Sequence, residues 1–541
     1  MRLELGVFSQ QSSLSGHQGG TEDSLRPGSS VDDGWADSAG LWRTFVRTVR
    51  ADPGARALSQ GGSAVSRGEL LEQATGIGRA LRDAGLREHS VVALMLPNSV
   101  DFVAALLAVA ELPALAAPVS TRYRASELRS ICASLRPDCI LVSRAQADGF
   151  VRLLDIESQH DIVVPGSDQA LLLLCVRRAA QGSARDLRER FGLHPSSSCP
   201  TLAKFSSGST GAPKAVLWTA ANVRAAAANV VETLELDASD VVLCPVPLSH
   251  SYGFDLGVLP MVCAGASLVL QSGFRPKSIL RDLVDERVSV FLGVPAMYGV
   301  LNRARLDSVP DLSSIRYFLS STAALPVELI ESFRRRFGGW ISQHYGSSET
   351  GGISLHDPAE VAGRPASVGR VLRNVELCIV DPSGRPLPAG MRGELVIRGE
   401  STAAGYVQED ASPGRSRFRD GRYWTGDAGY LDSDGFLYLE GSREGVIDVG
   451  GWKVSLAEVA RVLESHPSVT ESAVIALASA QRTKRVLAAV TLRQPADEAG
   501  LRTFCQARLA DYKVPRRIHI LSGLPRNASG MVELRAEDLP V

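Results

Sequence analysis

The segment from Ser206 to Lys214 combines glycines, hydroxyl side chains and a lysine at a spacing that suits anion binding. Its glycines let backbone N–H groups turn toward an anion, and its hydroxyls and ammonium add donors that match a negative charge. The spacing differs from the G-x-x-x-x-G-K-S/T pattern of a Walker A loop. Taken alone, the segment is either a phosphate-binding loop or a flexible surface turn. Its residues are Ser206, Ser207, Gly208, Ser209, Thr210, Gly211, Ala212, Pro213 and Lys214.

Lysine is scarce in this chain, and that scarcity gives each lysine more weight. Lysine and arginine together number 58, of which six are lysine, so arginine fills nearly every ordinary cationic position. We therefore expect a lysine where an ammonium group itself is needed, and this favours a phosphate-binding role for Lys214. The other lysines are Lys204, Lys277, Lys453, Lys484 and Lys513.

Four further motifs follow along the chain, and each contains residue types suited to a binding site. Tyr345 offers a flat face and Glu349 a carboxylate, whereas Asp427 is either a hydrogen-bond acceptor or a turn residue. His250 is either a member of the site or a structural histidine. The motifs are Pro247-Leu248-Ser249-His250, Tyr345-Gly346-Ser347-Ser348-Glu349, Tyr423-Trp424-Thr425-Gly426-Asp427 and Gly450-Gly451-Trp452-Lys453-Val454.

In this order the five motifs resemble those of the adenylate-forming superfamily, which includes acyl- and aryl-CoA synthetases, adenylation domains and luciferases. The resemblance spans roughly residues 40 to 535. It implies an enzyme that binds ATP and Mg²⁺ and activates an acid as its adenylate, with CoA or a carrier thiol as a further cofactor. It also implies a large N-terminal domain of two α/β halves and a β-rich subdomain, followed by a small C-terminal domain that swings about a hinge.

The resemblance implies a role around ATP for each matched residue. The loop from Ser206 to Lys214 would hold the β- and γ-phosphates while pyrophosphate leaves. Tyr345, with Gly346 beside it, would stack on adenine, and Ser348 would offer its hydroxyl to the α-phosphate. Glu349 would bind Mg²⁺, a hard cation that prefers oxygen ligands.

The resemblance extends to the ribose and to the acid. Asp427 would accept hydrogen bonds from both ribose hydroxyls, Arg443 would belong to the same nucleotide site, and His250 would lie at the mouth of the acid pocket. No acidic or basic residue stands out as an anchor for the charged groups of an amino acid, which disfavours an amino-acid adenylation domain. The pocket is expected from segments 249–257, 291–298, 320–324 and 344–352, whose aromatic residues, equally suited to the core, include Tyr252, Phe254, Phe291 and Tyr298.

Three positions in the C-terminal part depart from the family pattern. Met531 stands where the family has a lysine that contacts the carboxylate and the α-phosphate, and a thioether cannot stabilise an anion. The hinge reads Gly441-Ser442-Arg443-Glu444, so its arginine is displaced by one position and its aspartate is a glutamate. Asp448 stands where many relatives have a lysine.

Length and composition are those of a multidomain globular protein. A chain of 541 residues exceeds one hydrophobic core, and 45% hydrophobic with 22% charged residues is an ordinary balance. Acidic and basic residues nearly cancel, 59 against 58, which points to neither a nucleic-acid nor a membrane partner. Scattered cysteines without a C-x-x-C pair, and no apolar run of about 18 residues, predict a cytoplasmic protein.

Alternating helix and strand patterns from Leu41 onward predict an α/β fold with largely parallel sheets. Short strands and turns after about residue 365 predict a β-rich subdomain, and a small α+β domain follows Gly441. We expect a flexible tail at 1–36, an N-terminal domain at 37–440 and a mobile C-terminal domain at 441–541. Predicted strands include 91–96, 139–142, 241–245, 267–270, 288–292, 315–319, 375–380, 393–397, 472–477 and 485–492, and predicted helices include 100–112, 127–135 and 456–465.

Three functions remain open on the sequence. The first is an adenylating ligase that joins a small acyl or aryl acid to CoA, a carrier thiol or an amine, with a carrier protein as one candidate partner. The second is a diazotase-type enzyme that adenylates nitrite and acts on an aromatic amine. The third is a nucleotide-binding protein with reduced turnover or none, because a fold alone does not fix a function.

Overall fold

A computed structural model describes the protein from residue 40 onward, and the predicted tail at 1–36 lies outside the described residues. Within 40–541 the segments left out are 152–153, 168–169, 178–185, 194–197, 208–212, 324, 408–415, 443–445, 479–483, 526–533, 535–537 and 540–541. The backbone alone is described for residues 148–149, 151, 207, 441–442, 446, 448, 453, 457 and 478.

The first large sheet has nine strands within the described residues and a parallel centre. Its central strands are fully buried apolar runs, such as Val241–Cys244 and Ser267–Leu270, as expected for parallel strands covered on both faces. In spatial order the strands are Arg370–Val371, Gly351–Leu355, Ile341–Ser347, Tyr317–Ser320, Val290–Gly293, Val241–Cys244, Ser267–Leu270, Arg56–Gln60 and Ser63–Ser66.

The second large sheet has eight strands in the described parts of the chain and combines a parallel centre with antiparallel edges. One antiparallel hairpin, Pro200–Ser207 with Pro213–Thr219, has the predicted phosphate loop as its connection. The strands in spatial order are Gly405–Tyr406, Pro213–Thr219, Pro200–Ser207, Leu115–Pro118, Val91–Met95, Cys139–Ser143, Leu171–Val176 and Ile156–Ile162.

Two smaller β structures follow in the chain. The antiparallel sheet that carries Asp427 consists of Glu376–Val380, Gly393–Arg398, Arg422–Leu431, Phe418–Arg419 and Leu437–Ser442. The C-terminal part has its own core, which includes Val454, Leu463 and Leu501. Its strands are Val446–Val449 paired with Trp452–Ser455, and the three-stranded sheet Val469–Ala478, Lys484–Leu492 and Arg517–Ile520.

Helices cover the sheets and connect their parallel strands. Several helices begin with a hydroxyl N-cap. The side chains of Ser66 and Thr219 each accept a hydrogen bond from the backbone amide three residues later in the chain. No helix among the described residues is long and apolar enough to cross a bilayer. The helices are Gly40–Ala51, Arg67–Asp83, Val100–Glu111, Ala125–Leu135, Arg144–Val151, Leu187–Phe191, Ala220–Leu234, Ser251–Gly253, the π-helix Phe254–Val258, Leu259–Cys263, Pro276–Asp285, Pro295–Arg303, Val327–Phe337, Leu456–Glu464 and Glu498–Gln506, with 3₁₀ turns at Val361–Gly363 and Asp511–Lys513.

The predicted fold class is confirmed, and most predicted elements agree with the structure to within a few residues. The strand predicted at 288–292 is Val290–Gly293, because the Val288 amide still donates to the Leu283 carbonyl at the end of the preceding helix. The strand predicted at 315–319 is Tyr317–Ser320, because the Ile315 amide closes a turn onto Leu312. The domain boundaries at 37–440 and 441–541 stay a prediction.

Candidate active site

A cavity of about 1160 Å³ collects most of the residues that the motifs singled out. Strand ends and loops of the large sheets form one part of its wall, and residues after position 440 form another. The predicted site residues on the wall are Ser206, Lys214, His250, Tyr345, Gly346, Ser348, Glu349 and Asp427. Residues of the C-terminal part on the wall are Gly450, Trp452, Lys484, Tyr512 and Lys513.

The predicted phosphate loop is the connection of an antiparallel hairpin. Ser206 lies directly opposite Lys214 in the hairpin, so both flank the turn, and both are half-buried on the cavity wall. The Lys214 ammonium lies 5.3 Å from the centre of the Tyr406 ring. The turn itself, with Gly208, Ser209, Thr210 and Gly211, and the Ser207 side chain lie outside the described residues.

Tyr345 and Asp427 are in direct contact although they are far apart in sequence. The Tyr345 hydroxyl donates a 2.7 Å hydrogen bond to Asp427 Oδ2, and burial beside that carboxylate raises the pKa of Tyr345 well above its usual value. Asp427 is itself half-buried, and its amide donates to Thr425 Oγ1. Gly346 admits no side chain, because a Cβ there would lie 2.5 Å from the Gly351 carbonyl oxygen. The residues predicted for adenine and ribose are therefore held side by side.

Ser348 and Glu349 lie in the turn between Ile341–Ser347 and Gly351–Leu355. The Ser348 hydroxyl donates to the Phe205 carbonyl at 3.2 Å and accepts from Ser251 Oγ at 3.0 Å, which ties this turn to two other walls of the cavity. The buried Glu349 accepts a 2.8 Å hydrogen bond from the Tyr406 hydroxyl at Oε1. Oε2 of Glu349 has no hydrogen-bond partner among the described residues. Tyr406 thus lies near Lys214 through its ring and contacts Glu349 through its hydroxyl.

His250 combines a structural contact with a place on the cavity wall. Its Nδ1 accepts from the Tyr252 amide at 3.3 Å and caps the helical turn Ser251–Gly253. Tyr252 stacks on His344 with ring centres 5.7 Å apart, and burial lowers the pKa of His344 to about 4, so that this ring is neutral at physiological pH. Four aromatic residues suited either the pocket or the core. Tyr252 lines the cavity, whereas Phe254, Phe291 and Tyr298 are buried in the core.

Asp255 is a buried acidic residue on the cavity wall that the sequence analysis did not single out. This carboxylate lies in the π-helix Phe254–Val258 and on the cavity wall, and it is 2% exposed. Lys204 Nζ donates to Asp255 Oδ1 at 2.6 Å and lies 3.5 Å from the Trp218 ring centre. Burial lowers the pKa of Lys204 and raises the pKa of Asp255, while their mutual attraction opposes both shifts. The scarcity of lysine was the one sequence signal that pointed to this pair.

Several predicted residues of the C-terminal part have only partial descriptions. Arg443 and Met531 lie outside the described residues. The strands Arg422–Leu431 and Leu437–Ser442 are paired, and the backbone of Ser442 lies opposite Asp427. The position at which the hinge differs from the family pattern is therefore next to the residue predicted to bind ribose. The backbone of Asp448 pairs with that of Lys453 in the C-terminal hairpin.

The tip of that hairpin contacts the large domain beside the cavity. Gly450 and Gly451 form the turn with φ of +64° and +95°, which favour glycine. A Cβ at Gly451 would lie 3.0 Å from Val294 Cγ1, directly before the helix Pro295–Arg303. Trp452 follows the turn and lines the cavity, with its ring stacked on Tyr512.

Comparison with known proteins shows family matches over both parts of the chain. Residues 45–407 match the AMP-binding enzyme family, and residues 458–531 match the AMP-binding enzyme C-terminal domain. The chain is 30% identical to the feruloyl-CoA synthase of Amycolatopsis over 499 residues, which cover 91% of this chain and 97% of that protein. The amide bond synthetase from Marinactinospora thermotolerans is 26% identical with a TM-score of 0.78, covering 90% of this chain and 98% of that one.

A third relative shares the fold at 24% identity. The o-succinylbenzoate CoA synthetase from Bacillus subtilis gives a TM-score of 0.77 as a double mutant bound with its product analogue, covering 91% of this chain and 97% of that one. The same synthetase in complex with AMP gives a TM-score of 0.64, covering 90% and 96%. With family matches that span most of both parts of the chain, this protein belongs to the adenylate-forming family of AMP-binding enzymes.

Proposed function

We propose that this protein is an ATP-dependent, AMP-forming ligase that adenylates a small acyl or aryl carboxylic acid and transfers it to a thiol or an amine. The observation that carries the proposal is the convergence on one cavity of Ser206 and Lys214, which flank the predicted phosphate loop, with the Tyr345–Asp427 pair and the Ser348–Glu349 turn. A feruloyl-CoA synthase and an amide bond synthetase among the relatives support an acid as substrate and both kinds of acceptor.

In the first half-reaction an oxygen of the acid attacks the α-phosphorus of ATP, and the bond to pyrophosphate breaks. Lys214, at the edge of the loop, offsets the charge that develops on the leaving pyrophosphate. Ser348 presents its hydroxyl to the α-phosphate, Tyr345 stacks on adenine and Asp427 accepts from the ribose hydroxyls. His250 and Tyr252 flank the incoming acid.

In the second half-reaction the acceptor sulfur or nitrogen attacks the carbonyl carbon of the adenylate. The bond from that carbon to the phosphate oxygen breaks, AMP leaves with the electron pair, and the acceptor proton is lost to solvent or a base. CoA, a carrier thiol and an amine all fit this scheme, since each provides one nucleophilic atom.

Glu349 fits a Mg²⁺ ligand because one of its oxygens is fixed by Tyr406 and the other has no partner in the described part of the chain. No cluster of three or more His, Cys, Asp or Glu side chains among the described residues forms a ready-made metal cage. Mg²⁺ bound with a nucleotide needs none, since phosphates and waters supply most of its ligands. When bound, Mg²⁺ neutralises part of the phosphate charge.

The test is release of pyrophosphate from ATP with a panel of aryl and acyl acids, with and without CoA or an amine. We expect release with at least one acid and formation of a thioester or amide when the acceptor is present. The panel includes nitrite with an aromatic amine. Release of pyrophosphate with nitrite but with none of the carboxylic acids would support the diazotase-type alternative. ATP binding without any release would support a nucleotide-binding protein without turnover.

A further inference from the structure

Lys513 lies between two carboxylates that come from different domains. Its Nζ contacts Glu127 Oε1 at 2.5 Å and Glu458 Oε1 at 2.8 Å. Glu127 belongs to the region that matches the large AMP-binding domain, whereas Glu458 and Lys513 belong to the region that matches its C-terminal domain. The three side chains are 4%, 7% and 2% exposed. We call Glu127, Glu458 and Lys513 the interdomain cluster.

Polar contacts surround the interdomain cluster on both sides of the boundary. Arg124 pairs with Asp511, and the Ser126 hydroxyl donates to the Arg508 carbonyl. Arg122 lies over the Trp452 ring, 4.9 Å from its centre. The N-terminal turn of one large-domain helix, Ala125–Leu135, and the residues just before it therefore form a docking surface for the C-terminal domain.

The interdomain cluster is better suited to fixing an orientation than to adding stability. Removing two carboxylates and an ammonium from water is costly, and their attraction recovers little more than that cost. Burial beside Glu127 raises the pKa of Glu458 to about 7, as expected where one ammonium serves two acids. Glu127 and Lys513 lie in different domains, so their contact forms in this arrangement of the domains and favours it over others. Because the net free energy of the contact is small, the C-terminal domain stays free to undock.

This orientation brings C-terminal residues to the cavity. Lys513 adjoins Tyr512, which stacks on Trp452, and the turn before Trp452 approaches Val294. Lys513, Tyr512 and Trp452 all line the cavity.

On the basis of the proposed function, we propose that Lys513, bound to Glu127, is a positioning residue for transfer of the acyl group to the acceptor. It holds the C-terminal hairpin at the cavity during the second half-reaction, and it plays no part in adenylation. The residues assigned to ATP, namely Lys214, Tyr345, Glu349 and Asp427, all lie in the large domain and make no described contact with Lys513.

The test separates the two half-reactions in a Glu127→Gln variant. Glu127 also accepts from the Arg124 amide at the start of its helix, and glutamine preserves that capping contact, so the large domain should fold normally. We expect pyrophosphate release without acceptor to stay within about twofold, and transfer from the enzyme-bound adenylate to fall about tenfold, because one partner of a buried ion pair is lost. Small-angle X-ray scattering should show a larger radius of gyration in the variant.

Glu111→Gln is the matched control, because Glu111 pairs with Arg82 inside the large domain and should affect neither half-reaction. A second variant reverses the cluster: Lys513→Glu combined with Glu127→Lys should recover part of the transfer that Glu127→Lys alone loses. Equal losses in both half-reactions, or unchanged transfer with unchanged scattering, would overturn the positioning role. A wild type that releases no pyrophosphate with any acid would instead overturn the proposed function, and scattering would still decide whether this cluster docks the domain.

Discussion

Lys214 extends its ammonium over the Tyr406 ring, whose hydroxyl donates to Glu349. A half-buried lysine at the edge of a loop contributes little to folding, whereas under the proposed function its charge faces the leaving pyrophosphate. We expect Lys214→Ala to lower the rate of pyrophosphate release about a hundredfold with little change in melting temperature. Lys277→Ala, at an exposed position on the helix Pro276–Asp285, is the control and should behave like wild type. Normal turnover in Lys214→Ala would show that Lys214 has no part in the release of pyrophosphate and that the loop is only a turn.

The hydrogen bond between Tyr345 and Asp427 joins the residues assigned to adenine and to ribose. Under the proposed function, Asp427→Ala removes the charged acceptor assigned to the ribose, so calorimetry should show ATP binding weaker by about 2 kcal/mol, or about thirtyfold. Tyr345→Phe removes the donor to Asp427 but keeps the aromatic face, and it should cost less than Asp427→Ala. Unchanged ATP affinity in Asp427→Ala would remove the ribose assignment.

At the scale of elements, the Lys204–Asp255 ion pair joins the strand Pro200–Ser207 to the π-helix Phe254–Val258. Lys204→Met leaves a buried carboxylate without its cation and should destabilise the large domain by about 3 kcal/mol or more in urea unfolding. The double variant Lys204→Met with Asp255→Leu should recover much of that loss, because no buried charge remains. A single variant as stable as wild type would show that Asp255 is protonated or hydrated without Lys204.

The same elements show what the sequence could and could not predict. Apolar runs located the buried strands well, since period and burial are local properties, and Ser267–Leu270 agrees to the residue. Five ordered motifs predicted which residues share a site. The partners of Asp255 and Tyr345 could not be predicted, because Lys204 and Asp427 reach them through the folding of distant segments.

In the molecule as a whole, four of the six lysines lie where an ammonium group has a specific contact or lines the cavity. Lys204 and Lys513 are buried in ion pairs, and Lys214 and Lys484 line the cavity. An ammonium is compact and has three donors, so Lys513 can serve two carboxylates at once. Arginine, whose guanidinium is planar and larger, forms the ion pairs at the surface instead. Lysine scarcity thus indicated that Lys513 has a specific role, although its two carboxylate partners could not be predicted from the sequence.

The pH dependence of domain docking follows from Glu458. Its neighbours are Lys513 and Arg461, which favour its charged form, and Glu127, which opposes it, while burial raises its pKa from 4.5 to about 7. Under the proposed role of the interdomain cluster, undocking would move Glu127 and the covering surface away, and the pKa of Glu458 would return toward its usual value. The docked state therefore binds the proton more tightly, so the contribution of Glu458 to docking is full below pH 4.5 and is lost as pH rises through about 7.

We therefore expect the docked fraction, measured by scattering or by energy transfer between labels on the two domains, to fall as pH rises from about 4.5 to about 7 in wild type and to be level above that range. The change is worth at most roughly 3 to 4 kcal/mol, since each pKa unit corresponds to about 1.4 kcal/mol. Glu458→Gln cannot titrate and should flatten the profile while it keeps the domain docked at the level seen at low pH. A wild-type docked fraction that is constant or rises with pH, or an equal slope in Glu458→Gln, would show that another group controls docking.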